Sequence, residues 1–237
     1  MTRTPAWART WALMRAAASL LILAAIVAQA VRTIGGAIDA GRDVATTIVN
    51  FFSFFTILSN VVSVVVLAWA AVWFWSRGRR VAAPEPRALA TVLACATTNM
   101  LVTGVVYNTL LRGIALPQGT TVPWSNEVLH VVGPIFLAAD LFLAPRRRAL
   151  PWRSIAEVLI FPIVWVVYTL VRGPLTTNPT TGAPFWYPYP FLDPNNFDDG
   201  YGTVALYVAG IAIAISLFAT LVVWVGRRRG KPLTTNR

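Results

Sequence analysis

Ionisable side chains are scarce in this chain of 237 residues. It has one histidine, one cysteine and nine acidic residues, and only 12% of it is charged. A soluble globular domain carries about 25% charged residues, so the class of soluble domains is excluded. With Cys95 the only cysteine, neither an intrachain disulfide nor a thiolate cluster can form. One histidine and one cysteine offer too few of the ligands a transition metal prefers. Bis-histidine haem ligation is excluded within one subunit. The sequence calls for no cofactor and no metal.

What the chain does have is apolar length. It is 57% hydrophobic, with a mean hydropathy of +0.63. Crossing the hydrocarbon takes about 20 apolar residues in a helix. Six stretches meet this, near Trp11–Val31, Ile48–Trp75, Leu89–Leu111, Asn126–Ala144, Ile155–Val171 and Thr203–Val225. Backbone groups in lipid must be satisfied within the element, and a β-barrel would show short alternating segments instead. The expected fold is therefore all-α: a single domain over residues 1–237 forming a bundle of six transmembrane helices. The fifth stretch is the shortest and carries Pro162. Ala28-Gln-Ala30 resembles a signal-peptidase site whose cleavage would leave five spans. The six-span charge pattern and the early start of the apolar run favour six.

That charge pattern also explains a net charge of +11 without nucleic acid as a partner. Sixteen of the twenty Lys and Arg fall in four clusters. These are Arg3, Arg9 and Arg15; Arg77, Arg79, Arg80 and Arg87; Arg146, Arg147, Arg148 and Arg153; and Arg227, Arg228, Arg229, Lys231 and Arg237. Arg32, Arg42, Arg112 and Arg172 are in the alternate loops. The positive-inside rule then places both termini in the cytoplasm, and the clusters suit anionic headgroups. Asp140 and Glu157 fall near the cytoplasmic ends of spans four and five, as partners for the inner arginines. Two outer loops are modest, Arg32–Thr47 and Arg112–Ser125 with Pro117. The third, from Gly173 to Tyr201, is long, aromatic and proline-rich. It reads either as an interfacial aromatic belt or as a lid over a site that opens outward.

A charged or titratable group inside hydrocarbon is costly and marks a functional site by default. His130 is such a group, near the start of span four, in Trp124-Ser-Asn126-Glu127-Val-Leu-His130. Span two contributes Ser53, Thr56, Asn60 and Ser63, which share a narrow arc at about 100° per residue. Taken alone, this stripe is more simply helix–helix glue. On a continuous helix Thr56 would lie about 12 Å below the outer boundary, a depth compatible with His130. Span five offers Trp165, Tyr168 and Arg172 on one face. Span three offers Asn99, Thr103, Tyr107 and Asn108, more scattered. A hydroxyl is a weak nucleophile and needs a base. Thr56 or Ser53 supplies the hydroxyl and His130 the base. Glu127, three residues away on the same face, is a candidate to orient the imidazole. Asn60, Asn99, Asn126 and Tyr168 are candidates to orient or to donate to an oxyanion. Ser53, Trp124, Trp165, Arg172, Tyr189 and Phe191 are candidates to bind substrate.

The Thr56 stripe, Trp124-x-Asn126-x-x-x-His130, Trp165 and Tyr189-Pro190-Phe191-Leu192-Asp193 occur in this order in the androgen-induced protein family. From span two to the last loop the chain resembles that family of multi-pass membrane hydrolases. It also resembles the actinobacterial Pr-six-Pr family of membrane proteins. The resemblance implies a threonine hydrolase acting on fatty acid esters of hydroxy fatty acids, with Thr56 as nucleophile and His130 as its partner. Glu127 stands where relatives can carry a second histidine. The expected function is an intramembrane lipid-ester hydrolase of the cell membrane, whose partners are membrane lipids and the ester substrate. Two other classes stay open: a small transporter or proton-linked carrier, and a non-catalytic lipid-binding protein. Intramembrane His and Glu suit a proton relay, but no inverted repeat is visible.

Overall fold

The computed structural model describes residues 6–80, 83–114 and 121–230. Arg3, Lys231 and Arg237 of the basic clusters, and Pro117 of the second outer loop, lie outside the described residues. Six helices are long and apolar enough to cross a membrane, and no β-strand occurs among the described residues. The chain is an integral, multi-pass helical membrane protein.

Helix α1, Ala6–Asp39, has 34 residues. At 1.5 Å per residue it is about 51 Å long, well beyond the ~30 Å hydrocarbon slab, so its ends protrude. The second span is not one helix. The sequence suggests a continuous run from Ile48 to Trp75, but the chain folds as a short α2, Val44–Phe51, and then α3, Phe55–Trp73. Asp43 caps α2, its carboxylate accepting from the Thr46 amide at 3.0 Å. The break at Phe52–Phe54 is held from α7. The Trp165 indole donates to the Ser53 carbonyl at 2.9 Å, and the Tyr168 hydroxyl meets Ser53 Oγ at 2.9 Å. Backbone groups that a helix would have satisfied are thus paired from outside it. Thr56 consequently lies in the first turn of α3, not two turns down a continuous helix.

Helix α4, Arg87–Val106, widens into a π turn at Tyr107–Leu111. The fourth span is composite: α5, Pro123–Glu127, a π turn at Val128–Val132, and α6, Gly133–Leu143. Helix α7 is Ser154–Arg172 and α8 is Tyr201–Arg229. Pro162 inside α7 has no N–H for the Val158 carbonyl. The Cys95 thiol of α4 reaches that carbonyl at 4.0 Å, a weak substitute. Helices α4 and α6 approach closely at Gly104, where a Cβ would come within 2.9 Å of Pro134.

The core has two main parts and a minor third at Ala8, Ala12 and Phe74. The larger surrounds α3 and α4 and takes in Trp186, Tyr187, Tyr189, Phe191 and Leu192 of the long loop. The smaller packs α4, α6, α7 and α8 through Ala94, Leu141, Val158 and Val222. At the arginine-rich end lies a buried ion cluster. Arg15 donates to Asp140 at 2.6 and 3.0 Å and to Glu85 at 2.7 Å, Arg147 joins Asp140 at 3.2 Å, and the Trp11 indole adds a bond at 2.7 Å. Burial holds the Arg147 guanidinium below its ordinary pKa. Arg87 pairs with Glu157 at 2.7 Å. Arg229 donates to the Leu141 carbonyl, so the start of α1 and the end of α8 share this end of the bundle.

Candidate functional site

At the opposite end, Thr56 and His130 meet. Thr56 Oγ1 lies 3.3 Å from His130 Nε2, and both side chains are buried. His130 is the middle residue of the π turn at Val128–Val132. Such bulges re-aim a side chain and cluster at functional sites. The other ring nitrogen, Nδ1, is 2.9 Å from the Asn126 carbonyl. On the opposite side, Tyr189 of the long loop places its hydroxyl 3.3 Å from Thr56 Oγ1 and 3.2 Å from the Thr56 amide.

Donor and acceptor rules allow one direction through this chain. A carbonyl only accepts, so Nδ1 carries the imidazole proton and Nε2 presents a lone pair. The Thr56 hydroxyl therefore donates to Nε2. Its oxygen then accepts from the Tyr189 hydroxyl, whose oxygen in turn accepts the Thr56 amide. Burial pushes the Tyr189 phenol above its ordinary pKa, so it stays protonated. The contacts of 3.3 Å are longer than a strong hydrogen bond. Thr56 also benefits from its position. It lies in the first turn of α3, where the positive end of the helix dipole favours negative charge on its oxygen.

The imidazole is also fixed by stacking. The Tyr107 ring lies 3.8 Å from it, centroid to centroid, at 22°. The Asn126 side-chain amide donates to the Tyr107 hydroxyl. Asn126 thus positions the histidine twice, through its own carbonyl and through Tyr107.

The other expected site residues divide. Trp165 reaches the Ser53 carbonyl and lines the cavity beside Thr56. Phe191 stacks on Tyr189 at 5.3 Å and 3° and lines the same cavity. Asn60 donates to the Thr56 and Leu129 carbonyls at 2.9 and 3.2 Å, joining α3 to the π turn instead of offering an N–H to an oxyanion. Ser53 bonds the Val49 carbonyl and Tyr168, so neither Ser53 nor Tyr168 reaches the Thr56–His130 pair. Arg172 bonds Asn50 at 2.8 Å and lies over Trp186, one layer further out.

Glu127, Asn99 and Trp124 also depart from the roles expected of them. Glu127 does not orient His130. It is half-exposed and forms a two-pronged pair with Arg112 at 3.0 and 3.1 Å, because the turn of the helix carries it away from the imidazole. Asn99 donates to Cys95 Sγ deep in α4 and lines neither cavity described below. Trp124 is half-exposed on α5 and lines neither cavity as well. The spacing of residues also missed the stacking role of Tyr107. The signal was there, since Tyr107 is an aromatic with a polar tip at the same depth as His130.

Two cavities meet at Thr56 and Tyr189. One, of about 160 Å³, is almost entirely apolar and runs between α4, α7 and α8. The other, of about 30 Å³, lies against His130, Asn126 and Gln29, with exposed Thr121 at its rim. No group of three or more His, Cys, Asp or Glu converges among the described residues. The fold and site together define a multi-pass helical membrane protein with a hydroxyl–imidazole pair between a larger cavity and a smaller one that carries His130, Asn126 and Gln29. No family model, curated protein or solved structure matches the chain.

Proposed function

We propose that the protein is an intramembrane hydrolase of lipid esters, with Thr56 as nucleophile and His130 as general base. The observation that carries this reading is the directed chain Tyr189–Thr56–His130–Asn126. It leaves a lone pair on Nε2 facing the threonine hydroxyl, the arrangement a base-activated nucleophile requires. The resemblance to the androgen-induced family points the same way and suggests fatty acid esters of hydroxy fatty acids, or similar esters, as substrates. The membrane would be the cell membrane, with the arginine-rich end in the cytoplasm and Thr56 near the outer leaflet.

In this reading Thr56 Oγ1 bonds to the ester carbonyl carbon as its proton passes to His130 Nε2. The oxyanion formed is held by the Tyr189 hydroxyl, beside the positive end of α3. The C–O bond to the alcohol breaks, and His130 returns the proton to the departing oxygen. Water then adds to the acyl-threonine, gives its proton to Nε2, and the fatty acid leaves with Thr56 restored. The acyl chains exchange lipid for an apolar cavity wall, so few polar contacts are needed to hold the ester at Thr56.

The test is hydrolysis of acyl esters by the purified chain in liposomes. Wild type should turn over. Thr56→Ala should fall to background, and His130→Gln should lose about 10²–10⁴-fold. Equal turnover by wild type and Thr56→Ala would remove the hydrolase reading.

A further inference from the structure

The two cavities at Thr56 differ in size and in their polar residues, since only the smaller carries His130, Asn126 and Gln29, and that difference orients a substrate. The larger is a slot in the wall of the bundle. Its lining includes Ile163 of α7 and Ala212 of α8, both exposed, facing each other across its mouth. Helices α7 and α8 are also the two least buried of the six spans. The slot therefore opens sideways into lipid, not toward water. From Val208 to Ser216 it follows α8 for eight residues, about 12 Å at 1.5 Å per residue. Its floor is built by Leu159, Ile215 and Ser216. Below them Val158, Ala219 and Val222 close the smaller core cluster, and Leu159 packs against both clusters. The smaller cavity carries the polar groups Gln29, Asn126 and His130 and ends at exposed Thr121.

Resting on the hydrolase reading above, we infer that the acyl half of the ester enters from the bilayer between α7 and α8 and is measured by the floor at Ser216, while the alcohol half lies on the side of the smaller cavity, toward Gln29 and Asn126. Three observations support this assignment. An apolar chain passes from lipid into an apolar slot without leaving an apolar surrounding. A departing alcohol that takes its proton from Nε2 must lie on the side of Thr56 where His130 stands, and His130 lines only the smaller cavity of the two. The slot has a closed inner end, so chain length is limited on the acyl side. Ser216 and Ala212 are thus specificity-determining residues that do not touch the reacting atoms.

Two ester series in liposomes test this. One varies the acyl chain from hexanoyl to palmitoyl on a fixed alcohol, and the other varies the alcohol on a fixed hexanoyl group. Ser216→Trp raises the floor and should reduce palmitoyl turnover about tenfold or more relative to hexanoyl, leaving the alcohol series unchanged. Equal loss on both acyl chains, or a shift in the alcohol series alone, overturns the assignment. A second measurement separates it from the hydrolase reading. A diazirine-bearing palmitic acid is photocrosslinked to the full chain carrying Thr56→Ala and mapped by mass spectrometry. Label on α7 and α8 around Ile163 and Ala212, competed by oleic acid, is expected. That label with no ester turnover by wild type would support the chain site and overturn the hydrolase. Turnover without label on α7 or α8 would overturn the chain site and keep the hydrolase.

Discussion

Tyr189→Phe isolates one oxygen atom. The Tyr189 ring is buried between Phe54 at 5.6 Å, Trp165 at 6.0 Å and Phe191 at 5.3 Å, and phenylalanine keeps all three contacts. What disappears is the hydroxyl that lies 3.3 Å from Thr56 Oγ1 and 3.2 Å from the Thr56 amide. In the resting protein this leaves a buried N–H without a partner, a cost of about 1–3 kcal/mol in stability. In the reaction it removes a donor to the developing oxyanion, worth about 10²–10³ in kcat. Substrate packing against the ring is unchanged, so KM should move little. The assay is steady-state ester hydrolysis in liposomes beside thermal unfolding in detergent. A Tyr189→Phe enzyme with wild-type kcat would refute the role given to the hydroxyl, whatever its stability. Tyr189→Leu, which loses the ring as well, should be less stable than the phenylalanine variant.

Other consequences are as direct. Tyr107→Leu should lower kcat while leaving Thr56 labelling by an active-site probe detectable, because it removes the stack that fixes the imidazole and not the imidazole itself. Arg15→Met leaves Asp140 and Glu85 buried beside one fewer cation and should destabilise the fold by about 3–5 kcal/mol, read by thermal unfolding; an unchanged melting temperature would contradict the ion cluster's role. Glu127→Gln breaks only a solvent-exposed pair with Arg112 and should leave turnover within about twofold of wild type, since solvent screens such pairs. The Tyr189 phenol is raised by burial, so the folded state holds that proton more firmly than the unfolded state. Its contribution to stability is complete below the ordinary tyrosine pKa and is lost as pH rises through the folded value. Ultraviolet titration of wild type against Tyr189→Phe should therefore show the difference signal appearing later than that of exposed tyrosines.

The six helices were legible because hydrocarbon imposes one rule on every span, and the composition obeys it. The helix ends were less so. Ser53 and Thr56 fit one apolar run, and nothing in that run announces the break at Phe52–Phe54. The break depends on Trp165 and Tyr168, which lie more than a hundred positions away. Depth and type of side chain left Ser53 and Thr56 both open as partners of His130, and the choice of Thr56 came from the resemblance. The group that orients His130 did not. A carbonyl is present at every residue and carries no sequence signal, so Glu127 seemed the better candidate than the backbone of Asn126. The π turn that presents the imidazole is likewise invisible in a periodicity of 3.6. Tyr189 stood in a motif, yet only the folded loop shows that its hydroxyl caps the start of α3.

The most direct measurement is covalent. Purified wild-type chain in liposomes is treated with a fluorophosphonate and digested, and the modified peptide is sequenced by mass spectrometry. The account predicts a single adduct on Thr56, absent in Thr56→Ala and strongly slowed in His130→Gln. An adduct on Ser53, or labelling that persists in Thr56→Ala, would contradict it.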